Sequence, residues 1–495
     1  MYNSILHFLK KDIIEIEKVV GKVLKDEKDV DDLTDLVHEK VLKLGTNLLS
    51  EIYEKLDEQI RESIVRKKHW NIEHRNQQKT ILTIMGEVKY KRTGYYTKGS
   101  GKKDYIYLLD KVLGYEPGQR MCLGAAAMAL EEAVESSYRK GGKRASITEE
   151  VSKQAIKDLV HSTAVKMPIP KLEKKKKKKH VYILTDEDHV SAQFWKEKGD
   201  LRHDSRGYKT NTIISKMICV YDGAINISGP LSKAPRYELK GKRYFSGVYK
   251  GTKKNYELWK EVSDYIEATY DTEYLEQIYI LGDGANWIKA GCEYIADSKF
   301  VLDKFHMMKY INTSVSHLQD STWDAKNEIW EAIDRADKEE LKSIYNRIIN
   351  ATESESKQEA VLGSLRYFMN NWDGIKIRHE EPEGRFQCSA EGQVSHLLSS
   401  RLSSRPMGWS ELGCHNISQL RAYKKNGGEI IDLLKYKKEK QKKEERRAEQ
   451  EELIKELRKK QSGWDYSEIV SSSIPGLEKS SMKWMRGLVD HALGL

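Results

Sequence analysis

Cysteine is scarce and dispersed in this chain. The five thiols stand at 122, 219, 292, 388 and 414, and none forms a Cys-x-x-Cys pair. That spacing argues against a zinc ribbon and a disulfide framework, and leaves reduced, mostly buried thiols. Long apolar runs are missing as well; nothing approaches the length of a transmembrane helix, so no membrane partner is expected. The opening stretch Met1-Tyr-Asn-Ser-Ile-Leu-His-Phe-Leu-Lys-Lys-Asp12 lacks the basic-then-apolar pattern of a signal peptide, which points to the cytoplasm. There is no Gly-x-x-x-x-Gly-Lys-Ser/Thr, hence no P-loop ATPase, and neither a Gly-x-Ser-x-Gly elbow nor a Cys/His nucleophile stands out.

What is present is length, charge and acids at the ends of apolar segments. The 495 residues are enough for two to four domains, and 39% hydrophobic with 33% charged residues suits a globular protein with a polar surface. The net charge is +10, and Lys174 to Lys179 is an unbroken run of six lysines. Such a run self-repels and suits a phosphate backbone, or else a solvated linker. Its place beside the first acidic strand favours DNA.

Periodicity divides the chain into seven stretches. Residues 1–78 form a charged helical region, with Ile13, Ile16, Val19, Val20 and Val23 at helical spacing. Residues 79–117 carry a small β unit, in which Lys89, Lys91 and Arg92 interleave with Tyr90, Tyr95 and Tyr96. The tyrosines serve nucleic acid or cross-strand packing. Residues 118–173 return to helix and resemble a helix-turn-helix, with Gly141-Gly142 between an Ala-rich helix and a second helix capped by Ser152. Lys153, Gln154 and Lys157 of that second helix would face the DNA groove.

Residues 174–310 read as three strands, a helix, a strand, a helix and a strand. That is the order of an RNase-H-like mixed sheet in an α/β protein, and a doubly wound parallel sheet is the rival. Residues 311–385 form an all-helical insertion, 386–430 a closing helical part, and 431–495 a charged helical C-terminal region.

Asp186 ends the apolar run Val181-Tyr-Ile-Leu-Thr-Asp186, Asp283 ends Ile278-Tyr-Ile-Leu-Gly-Asp283, and Glu391 opens the polar stretch Ala390-Glu-Gly-Gln-Val-Ser-His396. A carboxylate at the end of a buried strand is costly unless something pairs with it. Three such acids together describe a divalent-metal site, and hard cations take oxygen ligands. Two Mg2+ ions roughly 3.5–4 Å apart can activate an attacking oxygen and stabilise a leaving one at a phosphodiester. Asp186 would bridge both ions, Asp283 would hold one and Glu391 the other; Mn2+ would substitute. Asp188, two residues on along the same strand face, is a rival or companion to Asp186. Asp222-Gly223 reads as a hairpin turn. Asp303 and His306 form Asp-x-x-His, either a functional pair or a helix cap with a core histidine. In Ser399-Ser-Arg401-Leu-Ser-Ser-Arg405-Pro-Met-Gly-Trp409, Arg401 and Arg405 offer forks for phosphate, and Trp409 offers either a face for an unpaired base or a core packing group.

Together, Asp186-Glu-Asp-His-Val190, Leu281-Gly-Asp283-Gly-Ala-Asn-Trp287, Leu302-Asp-Lys-Phe-His306, Ala390-Glu-Gly-Gln-Val-Ser-His396 and Ser403-Ser-Arg-Pro-Met-Gly-Trp409 resemble bacterial insertion-sequence transposases of the ISLre type, which are similar to Mutator-like DDE transposases. The similarity runs from about Lys79 to Arg421. It includes Gly86-Glu-Val-Lys-Tyr-Lys-Arg92 and Ser136-Ser-Tyr-Arg139. The resemblance implies an RNase-H-like core with a helical insertion ahead of the glutamate. It implies Mg2+-dependent cleavage at terminal inverted repeats and strand transfer into target DNA. The catalytic acids carry over to Asp186 (or Asp188), Asp283 and Glu391, and Asp303 with His306 match a supporting motif. A homo-oligomer follows from the need to handle two ends. A DNA-binding derivative without catalysis and an RNase-H-like host nuclease are the alternatives.

Overall fold

The computed structural model describes residues 2–98, 105–165, 172–194, 209–229, 236–381, 390–405 and 407–441, with 169, 202, 203, 207, 443 and 444 standing singly or in pairs. The chain divides into two compact units, residues 1–159 with 430–495 and residues 160–429.

The first unit opens with α1 (Asn3–His7), α2 (Ile13–Val23), α3 (Val30–Glu62) and α4 (Ile64–His69). Asp29 accepts from Asp32 N at 2.8 Å and caps α3, and Ser63 accepts from Arg66 N at 3.2 Å and caps α4. An antiparallel sheet follows in the order β1 (Trp70–Thr83), β2 (Gly86–Thr97), β3 (Tyr105–Ile106). The strand begins at Trp70, ahead of the expected boundary at Lys79, because β2 runs on to Thr97 and needs a partner that far. Its early part is polar and irregular: the register shifts between Ile72 and Gln77, and Asn76 has φ of 59°. Apolar alternation therefore could not reveal it. Tyr90 and Tyr95 are buried in the core of this unit with Ile81, Val88, Leu108 and Leu109, so cross-strand packing is their role. Lys89 and Lys91 remain exposed, while Arg92 and Lys79 both pair with the buried Asp110.

After α5 (Leu108–Leu113) come α6 (Leu123–Glu135), α7 (Tyr138–Arg144) and α8 (Lys153–Ser162). Ser152 does cap α8, accepting from Ala155 N at 3.2 Å. Lys153 and Gln154 are exposed and Lys157 is half-buried. Gly141 and Gly142, however, lie inside α7 and are not a turn. A Cβ on Gly141 would meet the Ala129 carbonyl of α6 at 2.6 Å, and one on Gly142 would meet the Val151 carbonyl at 2.0 Å. They permit close packing, and the link from α7 to α8 is longer than the three or four residues of a tight helix-turn-helix.

In the second unit the strands are β4 (His180–Ser191), β5 (Arg202–His203), β6 (Lys209–Thr210), β7 (Thr212–Tyr221), β8 (Gly223–Asn226), β9 (Tyr237–Lys240), β10 (Arg243–Gly247), β11 (Gln277–Gly282) and β12 (Ser298–Leu302). A five-stranded sheet has the order β10-β7-β4-β11-β12. β10, β7 and β4 pair antiparallel, whereas β4, β11 and β12 pair parallel. The sheet is therefore mixed, which excludes a doubly wound parallel arrangement. Val181, Ile183, Ile218, Val220 and Ile280 pack on one face beneath Trp259, Val262 and Ile266 of α9 (Gly251–Thr269).

Asp222 is not a hairpin turn. The strand continues through it into β8, which pairs with β9, and the pairing reaches Ile227 and Arg236. The buried Asp222 carboxylate instead accepts from Lys176 at 3.1 Å and faces Lys178 at 3.3 Å. Lys179 pairs with Glu276 at 2.7 Å, and Lys176 is bridged by backbone bonds to Thr269 and Asp271. Much of the lysine run is thus engaged by acids of its own unit.

Short helices α10 (Asn286–Lys289) and α11 (Gly291–Tyr294) join β11 to β12. A helical block then runs through α12 (Lys304–Val315), α13 (Thr322–Asp334), α14 (Lys338–Ala351), α15 (Glu355–Asn370) and α16 (Trp372–Glu380), around its own core of Ile311, Ile329, Leu341, Tyr345 and Phe368. The closing part is α17 (Ala390–Val394), α18 (Ser400–Leu402) and α19 (Glu411–Lys425). Residues 430–441 are helical; the rest of the charged C-terminal stretch beyond 444, and Cys388, lie outside the described residues.

Gly142→Ala is expected to destabilise the protein by roughly 1–3 kcal/mol, because the added methyl meets a backbone carbonyl that cannot rotate away. Urea unfolding of the full chain checks this; an unchanged midpoint would mean the α7–α8 link adapts freely.

Candidate acidic site

The strands are tied together next to the aspartates. Thr185 donates its hydroxyl to the Leu281 carbonyl at 2.7 Å, and Asp303 N donates to the Gly282 carbonyl at 2.9 Å. A side chain at Gly282 would collide with the Thr185 hydroxyl at 2.4 Å. The parallel registers pair Leu184 with Leu281 and Gly282 with Leu302. Continued by two residues on one side and one on the other, they place Asp186, Asp283 and Asp303 in a row across three adjacent strands. Neighbouring strands lie about 4.8 Å apart.

The electrostatics agree with that row. Burial pushes the Asp186 carboxyl up to about 6, Asp283 and Asp303 push in the same direction, and His306 and the Glu187 N–H oppose them. The imidazole of His306 loses affinity through burial, but Asp303, Asp186 and Asp283 outweigh this and raise it above its ordinary value. Its Nδ1 lies 3.1 Å from Asp303 Oδ2. Asp186 Oδ1 accepts from Glu187 N at 2.8 Å, and Asp283 Oδ1 accepts from Ala285 N at 2.9 Å. The local backbone thereby orients both carboxylates.

Asp188 is occupied differently. It is buried, and Ser403 donates to its Oδ1 at 2.9 Å. Burial raises its pKa against the pull of Ser403 and Ser399. Asp188 anchors the closing segment to β4, while Asp186 faces the other aspartates. Glu391 is exposed in the first turn of α17, and α17 packs against β4. Among the described residues, no three carboxylate, imidazole or thiol groups close into a metal cage.

Two expected DNA contacts are corrected. Arg401 is only 4% exposed and stacks on the Trp409 ring at 4.7 Å. Trp409 is itself buried, with its indole N–H donating to the Leu402 carbonyl at 3.0 Å and its backbone bridged to β4 at Ser191. Both are core groups, because the chain must cross back over β4 here and covers it with the largest side chain available. Arg405 is exposed.

Sequence reasoning missed the opposite face. Glu187 accepts from the Trp287 indole at 3.0 Å, and Trp287 O accepts from the Trp259 indole at 2.9 Å. Lys216 lies 4.6 Å from the Trp287 ring and donates to Asn255 at 2.5 Å. Burial lowers its ammonium pKa to about 8. This network ties the loop after Asp283 to the residue beside Asp186. Glu187 between two aspartates and Trp287 after Asp283 were the available signals. From the helical block, Tyr367 and Asn371 also approach the aspartates, and nothing in their apolar helical pattern marks them.

Residues 23–442 match the family described as Uncharacterised protein family (UPF0236). A UPF0236 protein of Caldanaerobacter subterraneus subsp. tengcongensis is 33% identical over 422 residues, covering 85% of this chain and 84% of the relative. A second from that organism, whose name joins eleven locus labels, is 33% identical with 85% and 83% coverage. A UPF0236 protein in the vanSb 3′ region of Streptococcus gallolyticus is 24% identical, covering 82% and 86%. Among solved structures, the Drosophila P element transposase strand transfer complex aligns at a TM-score of 0.21 and 12% identity, covering 65% of this chain and 82% of that one.

The pKa of Asp186 sets a sign for stability. Folding raises it from the ordinary value to about 6, so the folded state holds the proton more tightly and stability falls as pH rises through that value. Asp186→Asn, assayed by urea unfolding in EDTA, is expected to stabilise the chain by roughly 1–3 kcal/mol near pH 8 and to change little near pH 4. A loss of stability near pH 8 would show that the carboxylate is stabilised as the anion.

Proposed function

The chain belongs to the UPF0236 family, and on that footing we propose that it is a DNA transposase with an RNase-H-like core, cutting element ends and joining them to target DNA. The observation that carries this reading is the aspartate row formed by Asp186 within β4 and by Asp283 and Asp303 directly after β11 and β12, in a sheet of order β10-β7-β4-β11-β12. Three antiparallel strands followed by two parallel ones is the order the RNase-H-like reading requires. A helical block after the last strand also accords with it.

The donor set suits a hard divalent cation. Asp186 and Asp283 offer carboxylate oxygens, and Mg2+ keeps several waters, so two protein ligands suffice at the outset. Glu391 on α17 is the proposed third acid, and Asp303 stands nearer to the first two in the row. Bound Mg2+ ions would lower the pKa of an attacking water and neutralise the phosphate. The chain's own groups have separable tasks. Asp186 and Asp283 hold negative charge where the ions would sit. His306, oriented by Asp303, offers an imidazole beside them. Glu187 and Trp287 hold the two aspartate segments in register from the opposite face.

DNA is the proposed partner, met by exposed Lys153 and Gln154 with Lys157 on α8 and by Arg405. Handling two ends calls for a homo-oligomer. The relative whose name joins eleven locus labels supports a mobile-element reading, since repeated copies are what such an element leaves. No helix among the described residues is long and apolar enough to cross a membrane.

A DNA-binding protein without catalysis is the second reading, favoured by the open arrangement of acids among the described residues. Asp283→Asn separates the two. In an assay with DNA carrying the element ends, the variant should lose Mg2+-dependent cleavage by at least about a hundredfold, as expected for an essential charged group. Its binding to those ends should stay within about twofold, since phosphate contacts elsewhere set affinity. Equal cleavage by wild type and variant would remove Asp283 from the chemistry.

A further inference from the structure

The helical block sends two polar side chains to the aspartate row. Asn371, at the junction of α15 and α16, is 5% exposed. Its Nδ2 donates to the Tyr367 carbonyl at 2.8 Å, which fixes Oδ1 on the opposite side. That oxygen points at the loop carrying Asp283: a Cβ added to Gly284 would lie 2.1 Å from it, and Gly284 has φ of +87°. Oδ1 is buried and meets no donor among the described residues. Tyr367 lies one helical turn earlier, its ring stacked on Tyr310 at 3.7 Å. Its hydroxyl is buried and likewise without a hydrogen-bond partner among the described residues. Burial raises its pKa, and the charges of Asp283 and Asp303 raise it further.

Two buried polar atoms left without partners are expensive, because each has lost water without gaining a protein partner. Native structures hold such atoms mostly where a water, ion or ligand completes them. The pair has complementary roles: the phenol can donate, and the amide oxygen only accepts. The ring of Tyr367 packs against the apolar core of the helical block, but its hydroxyl is not needed for that packing, and Asn371 is not one of the apolar core residues.

We propose that Tyr367 and Asn371 are positioning residues of the aspartate site, with Tyr367 Oη donating to phosphate oxygens or hydration waters held there and Asn371 Oδ1 accepting from the hydration waters of a divalent cation. The inference rests on the metal-dependent reading of the site and adds the helical block to it. It also explains why Gly284 must be a glycine: the acceptor occupies the space a side chain would take.

Tyr367→Phe deletes one oxygen and keeps the ring stacked. The full-length chain is titrated with MgCl2 alone and with MnCl2 alone, following thermal unfolding, and is then assayed for cleavage of element-end DNA. Without divalent ions the variant should melt at the same temperature as wild type or higher. The cation concentration giving half of the stabilisation should rise about five- to tenfold. Asn371→Leu should shift that concentration in the same direction, with Asn371→Gln failing to restore it because the longer side chain moves the acceptor. A lower melting temperature without cations and an unaltered cation response would make Tyr367 a packing group and overturn the proposal. So would a wild-type chain that shows no cation response. If wild type and variant differ in cation response while neither cuts DNA, the positioning role stands and the phosphodiester reading falls.

Discussion

Three carboxylates on adjacent parallel strands impose the constraint that shapes this unit. Asp186, Asp283 and Asp303 are aligned by backbone register, one strand spacing apart, at the rim of a buried sheet. Like charges at that separation, partly removed from water, repel one another. Burial is the main cause of the raised proton affinity of Asp186, and the charges of Asp283 and Asp303 add to it. The neighbouring groups are arranged to tolerate it. His306 brings a titratable cation, backbone N–H groups cap Asp186 and Asp283, and Asp188 is withdrawn from the cluster by Ser403.

The alignment depends on contacts that carry no charge. Gly282 is small so that the Thr185 hydroxyl can reach the Leu281 carbonyl, and Gly284 yields space to Asn371. On the far face, Glu187, Trp287 and Trp259 form a chain of hydrogen bonds from β4 through the loop after β11 into α9. A buried polar chain of this kind is costly if broken and specific when complete. It converts the register of the sheet into the position of the acids. Behind this polar chain the core against α9 is built from Trp259, Val262 and Ile266 with Ile183, Ile218 and Ile280 of the sheet.

A division of labour between packing and recognition also emerges. Aromatic and cationic residues that suit nucleic acid on paper are largely consumed internally. Tyr90 and Tyr95 fill the small sheet's core, Arg401 stacks on Trp409, and Lys176, Lys178 and Lys179 face acids of their own unit. The exposed Lys89, Lys91, Lys153, Gln154 and Arg405 remain for a phosphate backbone among the residues singled out. Membership of the UPF0236 family covers most of the chain, so the acidic row, the helical block and most of the first unit lie within the matched span, residues 23–442.

The strands and their order were legible because buried strands are continuous apolar runs, and an acid at the end of such a run stands out against them. Asp186 and Asp283 were legible for that reason, and so was the alternation that ends in a mixed sheet. The start of β1 was not, since an exposed ribbon of polar residues carries no apolar period. Glu391 was legible only by motif; α17 lies against β4, but the acid that register places beside Asp283 is Asp303. Local sequence determined which segments are strands, which are helices and which residues cap them, because those depend on neighbours a few positions away. Only the tertiary structure decided that Asp188 anchors while Asp186 faces the row, that Arg401 and Trp409 are interior, and that Tyr367 and Asn371 reach the aspartates. Each of those outcomes turns on partners far away in the chain, and no period or spacing records which distant group will occupy the same few ångströms.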